Sequence, residues 1–185
     1  MVQIKGSAIK ETINQVLRRS GEDALDKIVG QLDDEARTVF KSEIFASSWY
    51  PLDAFTRFLE LEIRVLAAGN EEMVTRGSEA VIERQLRGIY KAFVKLGSPK
   101  FVIKRIAAVH ATYFEGVPIE VNHPAPRSAI VRYRGFQKQH RIMGFAILGF
   151  FRKALEISGA KNVALQFTIP IEQGGEFAEL SITWS

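Results

Sequence analysis

Apolar positions recur every three to four residues through the first two-thirds of the chain and every second residue thereafter. Ile9, Ile13, Val16 and Leu17 predict an amphipathic helix closed by Gly21. Residues 22–29 and 33–40 predict two short helices, the second with Asp33 as its N-cap. Ser47 to Pro51 interrupts the pattern, and Pro51 suits a first helical turn, where its missing N–H costs nothing. Phe55, Phe58, Leu59, Ile63 and Leu66 carry that helix to a turn at Gly69-Asn70. Residues 71–95 predict a helix disturbed near Gly77-Ser78 and ended by Gly97. Ser98 as N-cap and Pro99 at the first helical position open another, which runs to about Phe114 and stops at Glu115-Gly116.

The period then changes. Residues 117–121 read as a short strand, and residues 122–126 as a loop carrying two prolines. Over residues 128–136, Ala129, Val131 and Tyr133 share one face, while Ile130, Arg132 and Arg134 share the other. Residues 138–158 predict a helix stopped by Gly159, with Gly144 and Gly149 allowing close backbone approach to the sheet. Val163, Leu165, Phe167 and Ile169 alternate, Gly174-Gly175 turns the chain, and Ala178, Leu180, Ile182 and Trp184 alternate again. The chain thus reads as a single α+β domain: a helical subdomain over residues 1–116, then a ββαββ four-stranded antiparallel subdomain over residues 117–185. The Lys138 to Ser158 helix is expected across one face of that sheet.

Composition sharpens this little. A chain of 185 residues with 46% hydrophobic residues suits one domain. The absence of cysteine excludes disulfides, thiolate metal sites and cysteine nucleophiles, and suits a cytoplasmic location. The longest apolar run, residues 142–151, is about half of the roughly 20 residues that a bilayer requires, so no membrane partner is expected. The net charge of +4 is spread unevenly, with acids early and bases late, among them Lys100, Lys104, Arg105, Arg132, Arg134 and Arg141. Such a region is most simply a solvated face, and no nucleic-acid partner is expected.

Catalytic signatures are missing. The three histidines, His110, His123 and His140, stand in no HExxH or tight Asp/His cluster, and there is no P-loop or nucleophile elbow. Glu60 and Glu62 diverge on one helix and cannot act as a carboxylate pair. His110 alone stands out. It falls in line with Ile103, Ala107 and Phe114, beside a second line of Val102, Ile106, Val109 and Tyr113, and is therefore directed inward. An imidazole in apolar surroundings must be hydrogen-bonded, most simply to a backbone carbonyl, or must ligate something such as a haem iron.

Three segments carry a family likeness: Gly21-Glu22-Asp23-Ala24-Leu25-Asp26-Lys27-Ile28, Tyr50-Pro51-Leu52-Asp53-Ala54-Phe55, and Leu96-Gly97-Ser98-Pro99-Lys100-Phe101-Val102. With the inward His110, the strand through Tyr133 and the ββαββ finish, the chain resembles the haem-nitric oxide/oxygen-binding (H-NOX) domains from end to end. It resembles still more closely an uncharacterised bacterial family related to that fold. The resemblance implies haem held between a helical and a mixed subdomain, with a proximal histidine on the helix before the sheet. His110 lies near that position, about two residues closer to Phe101 than in the family. The family's propionate clamp is tyrosine, any residue, serine, any residue, arginine; here it would be Tyr133-Arg134-Gly135-Phe136-Gln137, so the tyrosine remains while glycine and glutamine replace its partners. A bidentate arginine is the strongest partner of a carboxylate.

The resulting expectation is a non-catalytic sensory or signalling module with an H-NOX-like fold that has lost the family's haem binding. It would have no cofactor and no catalytic or metal residues. Its partner would be a small apolar ligand or a signalling protein, with a homodimer allowed. The alternative is a haem-based NO/O2 sensor with His110 as proximal ligand and Tyr133 and Arg134 beside the haem.

Overall fold

The computed structural model describes residues 1–87 and 98–185. Helix α1 (Gly6–Ser20) is capped by Gly21, whose N–H donates to the Leu17 carbonyl. Helix α2 (Glu22–Gln31) starts with Glu22 and Asp23, which favour the positive end of the helix dipole. The expected cap of α3 (Asp34–Lys41) is present, with the Asp33 carboxylate accepting from the Ala36 N–H at 3.0 Å. Helix α4 (Leu52–Leu66) follows, then α5 (Glu72–Arg87) and α6 (Pro99–Tyr113). The expected continuation of α5 to residue 95 and its end at Gly97 lie outside the described residues.

Several local expectations are corrected. Pro51 lies not in the first turn of α4 but at its N-cap, as the last residue of a strand. Ser98 is the N-cap of α6 with Pro99 at its first position, as expected, but its side chain makes no capping bond, and its carbonyl accepts from the Phe101 and Val102 N–H groups. Helix α5 runs undisturbed through Gly77-Ser78, because both residues serve packing. The Gly77 carbonyl accepts from Gln15 Nε2 at 3.2 Å, and the Ser78 hydroxyl donates to the Ala146 carbonyl at 2.7 Å.

A small antiparallel sheet in the order β2-β1-β3 escaped the pattern entirely: β1 (Gln3–Lys5), β2 (Trp49–Pro51) and β3 (Phe114–Glu115). Strands of two or three residues are too short to display a period of two. This sheet ties the start of the chain to the entrance of α4 and the exit of α6.

The C-terminal half is the expected four-stranded antiparallel sheet, in the order β4-β5-β7-β6. Its strands are β4 (Ile119–Asn122), β5 (Ser128–Arg134), β6 (Ala164–Ile169) and β7 (Phe177–Thr183). The first begins two residues later than expected, and Val117 lies buried ahead of it. The second ends at Arg134, since Gly135 takes a φ of 90° where a Cβ would stand 2.2 Å from the Gly116 carbonyl oxygen. Ala129, Val131 and Tyr133 pair with Ile182, Leu180 and Ala178, and all six side chains are buried. Helix α7 (Met143–Ile157) is preceded by a short 3-10 turn at Lys138–His140, so it starts later than the pattern suggested.

Gly149 also plays a different part from the one expected. A Cβ there would lie 2.2 Å from the Thr75 carbonyl oxygen, so this glycine seats α7 against α5 rather than against the sheet. Gly144 does meet the sheet, at an ordinary contact distance from the Phe167 ring. The apolar interior falls into two clusters. A smaller one around Val16, Ile28, Leu32, Ala36 and Phe58 belongs to α1–α4; the larger draws on helices and both sheets, from Ile4 and Phe55 to Leu155 and Ile182.

Candidate functional site

Where the larger cluster joins the helices to the sheet it leaves a cavity of about 160 Å³. Helices α1, α4, α5, α6 and α7 and strand β5 all contribute to its lining. Its walls are mainly apolar, with Phe55, Phe114, Phe150 and Phe151 among them, but several polar side chains reach it.

His110 comes from the last turn of α6 and lies half-buried in the wall. Its Nε2–H donates to the Val117 carbonyl at 2.9 Å, leaving Nδ1 as the ring's lone pair. The ring stacks on Phe114 at 4.6 Å and meets Tyr133 edge-on at 5.5 Å. Burial lowers its pKa to about 4, opposed by the Val117 bond, so the imidazole is neutral at neutral pH. Its expected line is only partly internal, because Ala107 is exposed while Ile103 is buried and Phe114 half-buried. Tyr133 is buried on the inner face of β5, and its hydroxyl, pushed upward in pKa by burial, makes no hydrogen bond among the described residues.

No family model and no curated protein sequence matches the chain. Solved structures do. An Fe(II) unliganded H-NOX protein from K. algicida superposes with a TM-score of 0.72 at 13% identity, over 98% of this chain and 97% of that one. An H-NOX protein from S. oneidensis in the Fe(II)NO state gives 0.71 at 13% identity, over 98% and 99%. A mutant of T. tengcongensis H-NOX gives 0.71 at 13%, over 98% of each chain. The fold is H-NOX-like. At such identity the likeness concerns the fold alone.

Haem is the group that an H-NOX-like fold implies, and it needs an axial ligand, room for a macrocycle and partners for two propionates. His110 fits the first need, and its bond to Val117 is the kind of contact that orients a ligating imidazole. The cavity as its described residues line it does not meet the other two. A cavity of about 150 Å³ accommodates a benzene ring, so 160 Å³ is short for a macrocycle. No Lys or Arg lines the cavity among the described residues.

The arginines near the clamp position are engaged elsewhere. Strand pleating puts Arg134 on the face opposite Tyr133, where it pairs with Glu120 at 3.2 Å and with Glu176. Arg132 bonds Glu179 at 2.7 Å on that outer face, and Arg141 pairs with Glu71. The structure therefore brings His110 and Tyr133 together and leaves Arg134 apart. Both arginines are more exposed than Val131 and Tyr133, as their alternation predicted.

Buried polar residues were missed, Glu62 and His140 foremost among them. Glu62 on α4 is 5% exposed and lines the cavity, with no hydrogen bond among the described residues. Burial raises its carboxyl to about 7, opposed by the charge of Arg19. The signal was available: Glu62 continues the buried stripe of Phe55 and Leu59 at helical spacing. His140 is 2% exposed; its Nδ1 accepts from the Gln137 N–H at 3.0 Å and its Nε2–H donates to Asp53 at 3.1 Å. That pair, 87 residues apart in sequence, pins the 3-10 turn to the start of α4. His123 is exposed in the loop after β4. No group of three metal-ligating side chains occurs among the described residues, and no described helix is long and apolar enough to cross a membrane.

Proposed function

We propose that this chain is a non-catalytic sensory or signalling module that holds a small apolar ligand in the cavity between its helices and its sheet, in place of haem. The observation that carries this reading is a cavity of ring-like size that keeps the inward histidine but has no cation along its described walls. A ligand ordered there touches both halves of the molecule, so its binding would bias how the helices sit on the sheet. A signalling protein, or a second copy of the chain, would read that change. The outer sheet face adds no case for nucleic acid, because Arg132 and Arg134 are neutralised by Glu120, Glu176 and Glu179.

The alternative, a haem-based gas sensor, draws on the same histidine: Nδ1 of His110 retains a lone pair while Val117 holds the other nitrogen. The absorbance spectrum of the purified protein, before and after hemin addition, separates the two. The expected result is a colourless protein with no sharp Soret band. A sharp band that disappears in His110→Ala and survives in His123→Ala overturns the proposal in favour of the gas sensor.

A further inference from the structure

Glu62 is an anomaly that the proposed function leaves unused. A carboxyl so deeply buried is ordinarily held by hydrogen bonds, and leaving it without them is costly. Among the described residues it has none, and it faces the cavity. Gln15, which also lines the cavity, donates its Nε2–H to the Gly77 carbonyl, which leaves its side-chain oxygen as a further acceptor. Among the described residues the cavity thus presents carboxyl and amide oxygens that no donor occupies.

The remaining walls limit what that donor belongs to. Among the described residues no cation lines the cavity to hold an anionic ligand. A cation is disfavoured from the other side. An adjoining hollow of about 380 Å³ shares Gln15, Met73 and Gly77 with the cavity and, among the described residues, is lined by Arg18, Arg19, Arg76 and Arg84 against Glu72. Several of these arginines pair with Glu11 or Glu72, but the balance of the rim remains positive. A neutral ligand avoids both difficulties. The aromatic walls and a volume near that of a one-ring guest favour a flat, rigid body, which loses little conformational entropy on binding.

We infer that the cavity takes a neutral aromatic molecule of one or two fused rings bearing an N–H or O–H donor, and that Glu62 is the acceptor for that donor. The inference rests on the cavity being the ligand site, as proposed above.

Calorimetric titration with indole and with benzofuran tests it, since the two have the same size and shape and only indole carries an N–H. Indole is expected to bind the wild-type protein about tenfold more tightly than benzofuran, the effect of one hydrogen bond to an otherwise unpaired buried group. Glu62→Gln, which keeps an acceptor oxygen, should preserve the preference, and Glu62→Leu should abolish it. Equal binding of the two rings to the wild type overturns the role of Glu62 while leaving the cavity as the ligand site. Binding of neither overturns the inference, and a His110-dependent Soret band on hemin addition overturns the reading beneath it. The wild-type comparison decides the matter even if Glu62→Leu fails to fold.

Discussion

Phe58 and Glu62 stand one turn apart on α4 and open onto different interiors. Around Phe58 the first four helices close on one another, with Phe40 stacked on its ring at 4.4 Å and Val16, Ile28 and Leu32 packed around it. Around Glu62 the wall gives onto a cavity, and the groups that reach it include a carboxyl, an imidazole and an amide. Burial drives both Glu62 and His110 toward their neutral forms, so this side carries desolvation costs that the Phe58 side does not. One interior is arranged for stability. The other gives up stability for a space with chemistry in it, as ligand sites commonly do.

The largest effect that sharpens this contrast should come from Phe58→Ala. Emptying a fully buried, stacked ring site is expected to cost about 3–5 kcal/mol in denaturant unfolding. A loss under about 1 kcal/mol would mean that the smaller cluster is no tighter than the cavity side, and the contrast would fail.

Glu62→Gln comes next, with an effect that depends on pH. The folded carboxyl titrates at about 7 rather than 4.5, so the folded state holds its proton after the unfolded chain has released it. The penalty is absent below about pH 4.5, grows as pH rises to about 7, and is constant above. At about 1.36 kcal/mol per pH unit it reaches on the order of 3 kcal/mol. The variant should therefore match the wild type at pH 4 and exceed its stability at pH 8. His110 titrates in the opposite sense: its folded pKa is depressed, so its contribution is lost as pH falls from 6.5 toward 4. It is common to both proteins and cancels in the difference. A difference independent of pH would show that Glu62 is not held neutral in the fold.

The smallest effect belongs outside both interiors. Arg134→Ala should leave the unfolding midpoint unchanged at low and high salt, because its pairs with Glu120 and Glu176 are solvent-screened. Duplex DNA should not be retained by either protein. Tight, salt-sensitive retention lost in the variant would assign that face to nucleic acid.

The seven helices described here and the four-stranded sheet were legible in outline because their signals are local. Alternation through Ala129, Val131 and Tyr133 selects the inner face of β5, and Asp33 announces its helix with a cap that spans three residues. His110 could likewise be read as inward, and its carbonyl partner anticipated in kind. Periodicity specifies which face of an element is buried, but not what lies across from it. Tertiary structure alone decided that Gly149 meets Thr75, that residues 3–5 pair with both 49–51 and 114–115, and that His140 closes on Asp53. The same holds for Glu62 and Arg134. Spacing put Glu62 in the buried stripe of α4 and Arg134 on the face opposite Tyr133, but not what each would meet there. Glu62 faces the cavity from α4, and Arg134 is withdrawn from the site because Glu120 on β4 and Glu176 in the turn before β7 meet it on the outer face.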